Sequence, residues 1–296
     1  MNMSPSIAVL GSLHLDIVIR APRLPMLGET LMGDRWEPIA GGKGLNQAVA
    51  CARTGVPTRM FGATGTDDFS APMLNHLQES QVDTSGVKQV IGARSGMCVV
   101  TTESNGDYSA VVVSGVNASL TTSDVTDWAD ALASSSALVL QNEVPAAVNM
   151  AAAQLMSDLN RPVILNAAPF RVLGARDLEG VSLLVVNAVE AEMMGALPVV
   201  DLTSAERASL HLQSILHVTV VVTAGPHGVA WTDTEGASNQ LAGKPVKVIS
   251  TLGAGDTFVG HLAAALVTGA DLNAAMRSAN VAAANFISTP KDAVNK

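Results

Sequence analysis

The chain has 296 residues, 17 basic and 26 acidic side chains, a formal net charge of -9 and 48% hydrophobic residues. This composition supports a large packed core and excludes disorder, and an acidic balance without clustered Lys and Arg argues against a nucleic-acid partner. No apolar run approaches the ~18 residues of a membrane helix, and residues 1–6 lack a basic stretch followed by an apolar core, so the expected location is the cytoplasm, with no membrane partner.

In chain order, residues 7–10 read as a short, fully apolar strand ending at Gly11. Asp16 follows where that strand leaves the core, suited to paired sugar hydroxyls or else to a solvated loop. Residues 31–40 read as antiparallel β. They run into Ala40-Gly41-Gly42-Lys43-Gly44-Leu45-Asn46-Gln47-Ala48, a glycine-rich turn opening a helix over residues 45–53 that Gly55 closes. Clustered glycines let a polyhydroxyl ligand approach the backbone, and Asn46 offers both donor and acceptor; a tight strand-to-helix turn is the plain alternative. The G-x-x-x-x-G-K-[ST] spacing is absent, and no G-x-G-x-x-G follows the first strand, which excludes a Walker A loop and a dinucleotide fingerprint. Residues 97–113 form a second β segment, with Asn105-Gly106-Asp107 as the turn between Thr/Val-rich arms. The two β segments predict a small sheet over one end of a single domain.

Residues 137–140, 163–165, 183–186 and 218–222 read as further apolar strands, and 145–158 as a helix with Pro at its start. Alternating apolar strands and helices predict a parallel sheet covered on both faces. Polar groups cluster just past these strands, where such sheets place ligands: Gln141-Asn142-Glu143, Asn187-Ala188-Val189-Glu190 and Thr223-Ala224-Gly225-Pro226-His227-Gly228. Asn187 and Glu190 share one side of a starting helix, which suits a hydrated Mg²⁺ or an ordinary helix start. The 223–228 segment suits phosphate or adenosine, or is a Gly/Pro turn. Ser250-Thr251-Leu252-Gly253-Ala254-Gly255-Asp256-Thr257-Phe258 then opens an Ala-rich helix over 256–268, and residues 272–287 form the last one. Small residues leave the helix N–H groups open to an anion, and Asp256 at that mouth can take a hydroxyl proton; the alternative is a helix cap. Cys51 and Cys98 are expected to be buried, reduced thiols, and no Cys/His cluster has metal-ligand spacing.

Together these segments resemble the ribokinase-like (PfkB-type) carbohydrate kinase family nearly end to end. The resemblance rests on Gly11-Ser12-Leu13-His14-Leu15-Asp16, on Pro25-Met26-Leu27-Gly28-Glu29-Thr30, and on Gly41 to Asn46 with Ala48, Gly55 and Gly65. It continues through Asn166-Ala167-Ala168-Pro169 and the three later motifs at residues 187–190, 223–228 and 251–256.

This resemblance implies a three-layer α/β/α fold with a mostly parallel central sheet, plus a β lid from roughly residues 14–40 and 92–116 that pairs two subunits. It implies phosphorylation by ATP of a hydroxyl, a primary one, of ribose or a ribose-like sugar. Asp256 would be the base, and Gly253, Ala254 and Gly255 the anion hole. Asp16, His14, Gly42, Lys43, Asn46 and Glu143 would hold the sugar. Asn187 and Glu190 would organise Mg²⁺ through water, Thr223, Gly225 and Gly228 would line the ATP site, and Asn280 would lie beside adenine. Some residues depart from the family pattern. His14 stands where ribokinases usually carry Asn. Ser250 replaces the Asp of members activated by a monovalent cation, and Lys291-Asp292-Ala293 replaces a Gly-Ala-rich stretch, so a K⁺ site is expected to be weak or missing. His261 is bulkier than the second signature prefers. Two rival readings remain open at this stage. One is a nucleoside kinase of the same family, with Trp36 as a platform for the base; the other is a catalytically silent sugar- or nucleotide-binding regulator.

Overall fold

The computed structural model describes residues 4–103 and 108–289. Its first strands are β1 (Ile7–Leu10), β2 (His14–Arg20), β3 (Arg35–Gly41), β4 (Thr58–Gly65), β5 (Val82–Val90), β6 (Gly96–Thr102) and β7 (Tyr108–Val113). The later ones are β8 (Ala137–Gln141), β9 (Val163–Asn166), β10 (Leu183–Asn187), β11 (Thr219–Thr223), β12 (Gly228–Thr232) and β13 (Ser238–Ala242). Between them run the helices α1 (Lys43–Ala52), α2 (Ser70–Glu79), α3 (Thr122–Asp127), α4 (Ala129–Ala133) and α5 (Ala146–Asp158). Those that follow are α6 (Ala188–Met193), α7 (Leu202–Leu216), α8 (Ala254–Val267) and α9 (Leu272–Ile287).

Nine strands form one sheet in the order β13-β12-β11-β10-β9-β8-β1-β4-β5. Every pairing from β5 through β11 is parallel, and β12 and β13 finish one edge antiparallel. Successive strand side chains point to opposite faces, so a sheet covered on both sides needs unbroken apolar runs. β1 shows this directly. Ile7 and Val9 enter a core with Leu45, Met73, Phe258 and Met276 of α1, α2, α8 and α9. Ala8 and Leu10 enter the opposite core, with Val125, Leu132, Met156, Ala191 and Leu212 of α3 to α7. The expected three layers are therefore present.

The lid differs in detail from the expectation. It is a four-stranded sheet in the order β3-β2-β6-β7, and its central pair, β2 with β6, is parallel, so it is mixed rather than two antiparallel segments. Asp16 lies inside β2, opposite Ile39 and Cys98, and not in a connecting loop. The chain runs almost directly from β1 into β2, which is why the sequence showed only one strand leaving the core. The expected turn at Asn105-Gly106-Asp107, and the Lys291-Asp292-Ala293 stretch, lie outside the described residues. Both cysteines are buried free thiols, as expected. Burial pushes the Cys51 thiol up to about 12, and burial with the nearby Asp16 and Glu143 charges pushes Cys98 up to about 11. Neither forms the thiolate that reactive cysteines require.

α1 and α8 pack closely because Gly260 faces Ala50: a Cβ on Gly260 would come within 2.5 Å of the Ala50 Cβ. This approach one turn along α8 brings the first turn of that helix against the polar side chains of α1. His261, beside Gly260, is half-buried, and burial lowers its imidazole pKa.

Candidate active site

The centre of the site is the start of α8. Gly253 caps it with φ +90°, a backbone conformation that a side chain disfavours. The first N–H groups of a helix have no acceptor within it, and at Gly255 a Cβ would meet nothing within 4 Å. The small residues therefore leave an open, positive helix end.

Two cavities meet on this segment. The first, about 520 Å³, is walled by Thr251, Ala254, Gly255 and Phe258 on the α8 side and by Thr223, Gly225, Gly228 and Asn280 opposite. Its remaining walls are largely apolar, from Val229, Val246, Val248, Ala283 and Ile287. Asn280 donates to the Ala242 carbonyl at 2.9 Å, and Gly225 is open on its cavity side, where a Cβ would meet nothing. The second cavity, about 600 Å³, is lined by Gly253, Asp256 and Thr257, by Asn46 of α1, and by Asp16, Val18 and Ile39 of the lid. Its lining is more polar. One apolar compartment and one polar compartment thus share a helix mouth.

Asp256 is only 8% exposed. Its Oδ1 accepts from Gln47 Nε2 at 3.0 Å, and its Oδ2 accepts from Asn46 Nδ2 at 3.2 Å. Burial raises the carboxyl above the ordinary aspartate range, Glu143 adds to this, and Lys43, Gln47 and Asn46 oppose it. A carboxylate raised toward the working pH is the state a general base needs.

Around it, Glu143 Oε2 accepts from the Ser12 hydroxyl and from the Lys43 backbone N–H at 2.9 Å. His14, 2% exposed, puts Nδ1 3.9 Å from the same oxygen, and burial lowers its pKa, which leaves it neutral near pH 7. Its Nε2 is buried without a hydrogen-bond partner among the described residues. Gly42, with φ +92°, caps α1 so tightly that a Cβ would lie 2.9 Å from the His14 backbone nitrogen. The Asp16 carboxylate rests on Gly41, where a Cβ would lie 2.3 Å from Oδ2. The structure thus gathers Asp16, His14, Gly42, Lys43, Asn46, Glu143 and Asp256 at one end of the sheet.

Asn187 and Glu190 form a reciprocal cap on α6: Asn187 Oδ1 accepts from the Glu190 N–H and Glu190 Oε2 from the Asn187 N–H, both at 2.8 Å. The ordinary helix-start reading accounts for those bonds. Glu190 is nevertheless 8% exposed and raised by burial, with Lys43 lowering it and Asp256 raising it further, so it belongs to the same electrostatic cluster. Among the described residues no group of three or more His, Cys, Asp or Glu is arranged to hold a metal. A single carboxylate beside an open, positive helix mouth fits a hydrated Mg²⁺, which keeps several waters and needs only one or two protein carboxylates.

Three features escaped the sequence reading. Gln47, Gln141 and Asn166 form a buried amide network behind Asp256. Lys244 stands at the first cavity and donates to Asn285 at 3.2 Å. Asn117 ties the base of the lid to Leu13. Only the first had a signal, since Gln47 follows Asn46 inside the glycine-rich motif and Gln141 ends an apolar strand. Trp36, 67% exposed, pairs with Ile19 in the lid row opposite to the one carrying Asp16, so it does not overlie the polar cavity.

The model for the pfkB family of carbohydrate kinases matches residues 4–294. The chain belongs to that family. It is 33% identical over 286 residues to the ribokinase of Haemophilus influenzae, covering 95% of this chain and 92% of that protein. With the ribokinase of Bacillus subtilis it shares 32% over 279 residues, covering 94% and 91%. A deoxyribokinase from Salmonella typhi is 30% identical over 279 residues, with the same coverage of 94% and 91%. Among solved structures, Arabidopsis thaliana ribokinase complexed with ribose and ATP superposes with a TM-score of 0.89 at 28% identity, covering 97% of this kinase and 94% of that chain. Ribokinase from Thermotoga maritima gives 0.86 at 26% identity, covering 98% and 95%. This kinase is therefore a sugar-phosphorylating enzyme by family, and no helix among its described residues is long and apolar enough to cross a membrane.

Proposed function

We propose that this kinase, acting as one unit over residues 1–296, transfers the γ-phosphoryl group of ATP to a primary hydroxyl of ribose or a ribose-like sugar, with Asp256 as the base. The observation that carries this reading is the position of Asp256, buried at the junction of an apolar and a polar cavity on an open helix mouth. The nucleotide occupies the first cavity, with adenine beside Asn280 and the phosphates against Thr223, Gly225, Gly228 and the α8 N-terminus. The sugar occupies the second, where Asp16 and Asn46 line the wall, and reaches the neighbouring Glu143, neutral His14, Gly42 and Lys43 with its hydroxyls. Asp256 takes the proton of the attacking hydroxyl, and the N–H groups at Gly253, Ala254 and Gly255 stabilise charge on the transferring group. Glu190 and Asn187 would hold Mg²⁺ through water, and the ion would supply positive charge to offset that of the nucleotide phosphates. The lid limits the access of water. The relatives named ribokinase and the Arabidopsis complex with ribose and ATP support the substrate class.

ADP release with ribose, 2-deoxyribose, hexoses and adenosine as acceptors, each with and without K⁺, tests this. Turnover is expected with a ribose-like sugar and not with adenosine, and K⁺ is expected to leave it unchanged, because Ser250 provides no carboxylate near the anion hole. Turnover with adenosine alone would favour a nucleoside kinase, and no turnover with any acceptor would favour a silent binder.

The lid also supports a homodimer. β7 is an edge strand, and Val111, Val112 and Val113 on it are 68%, 48% and 54% exposed. An exposed apolar edge of this kind is covered in functional proteins. Sedimentation velocity is expected to show a dimer that Val111→Lys converts to monomer; a wild-type monomer at all concentrations removes the proposal.

A further inference from the structure

Asp256 is held from behind by side chains that line neither cavity. Gln47, fully buried, donates from Nε2 both to Asp256 Oδ1 and to Asn166 Oδ1, each at 3.0 Å. Its Oε1 accepts from Nε2 of Gln141, also fully buried, at 2.8 Å. Asn166 Nδ2 is itself spent on the Val185 carbonyl at 3.2 Å, so its oxygen is left to accept. Asn149 donates to the Gln141 backbone carbonyl at 2.8 Å and anchors the far end.

The polarity of this chain has a single solution. A carboxylate only accepts, so Gln47 must turn its amino group toward Asp256, and its carbonyl must then face a donor. Gln141 is that donor, and the cost of the arrangement appears at its other end. Gln141 Oε1 is buried without a hydrogen-bond partner among the described residues, set against Gly11, where a Cβ would come within 1.8 Å of it. A buried acceptor is left unpaired rather than let Gln141 reverse, which would set carbonyl against carbonyl at Gln47. The network joins α1, β8, β9 and α8, elements far apart in sequence but rigid in the fold. Lys43, Glu143 and Glu190 are the charged groups that act on Asp256 from the other sides.

We infer that Gln47 is a positioning residue for the catalytic carboxylate, itself locked in one amide orientation by Gln141, so that Asp256 meets the substrate hydroxyl in one rotamer. This rests on Asp256 acting as the base.

The test is steady-state kinetics on Gln47→Met, Gln141→Met, Asp256→Asn and the Gln47→Met/Asp256→Asn double variant, each with a melting curve. Gln47→Met is expected to lower kcat by roughly tenfold to a hundredfold, the range for displacing a catalytic group by about an ångström, with KM for ATP and sugar unchanged. Gln141→Met is expected to act in the same direction, less strongly. In the Asp256→Asn background, Gln47→Met is expected to add nothing, because its effect passes through the carboxylate. A merely structural role would multiply its loss onto that of Asp256→Asn, and that result overturns the inference, as does a normal kcat or an effect confined to KM. Where Gln47→Met fails to fold, Gln141→Met, which leaves the bond between Gln47 and Asp256 intact, decides by the same criteria; failure of both assigns the network to folding and also overturns it. Near-normal turnover in Asp256→Asn sinks the base reading instead, a distinct outcome.

Discussion

Asp256→Asn lowers kcat by roughly 10²-fold or more while leaving the affinity for ATP largely intact, because it removes the proton acceptor without disturbing the nucleotide cavity. The substitution keeps the shape and the Oδ1 acceptor for Gln47, and the new amide meets Asn46, whose side chain can turn its oxygen inward. Stability is expected to move the other way. The folded-state pKa of Asp256 is raised by burial, so folding disfavours the ionised form. A raised pKa contributes stability that is fully present below the ordinary aspartate value of 3.8 and lost as the pH climbs through the folded-state value. At neutral pH the charge therefore weighs against folding, and Asp256→Asn relieves it. The expected result is a variant that melts above the wild type at pH 7, with the gap closing as the pH falls toward 3.8. A variant with normal turnover removes Asp256 from its role, and one that melts below the wild type at pH 7 contradicts the burial argument.

Asn117→Ala gives the largest loss of stability. Asn117 is fully buried; its Oδ1 accepts from the Leu13 N–H at 3.0 Å and its Nδ2 donates to the Leu13 and Ser114 carbonyls, both at 2.9 Å. Leu13 joins β1 to the lid strand β2, and Ser114 follows the lid strand β7, so one amide ties both ends of the lid to the body. Truncation strips the Leu13 N–H and carbonyl of their buried side-chain partner, while the Ser114 carbonyl keeps the Asn117 backbone N–H at 3.1 Å. The loss is about 2 kcal/mol on the usual scale for unmade buried hydrogen bonds. Urea unfolding followed by circular dichroism measures this. Because the lid borders the polar cavity and not the apolar one, KM for the sugar is expected to rise while KM for ATP stays level. An equal rise in both, or an unchanged unfolding midpoint, contradicts the assignment.

Much of the main sheet was legible because both of its faces are covered, so strands such as residues 137–140 and 183–186 appear as unbroken apolar runs. The lid was legible only in part. β2 holds polar and half-buried positions and follows β1 after three residues, so it merged with its neighbour in the reading. Asn187 and Glu190 illustrate a different limit: the same spacing serves a capping box and a metal site, and the structure shows the cap formed.

By itself, the sequence determined the α/β layering, the two glycine-rich helix mouths and the carboxylate at one of them, because these follow from periodicity and from backbone freedom, which are local properties. Only the tertiary structure decided what meets Asp256. The amides of Asn46 and Gln47 lie 210 and 209 residues away along the chain, brought in by the close crossing of α1 and α8. Hydrogen-bond polarity, burial and the junction of two cavities arise from packing between distant elements, and local spacing does not encode them.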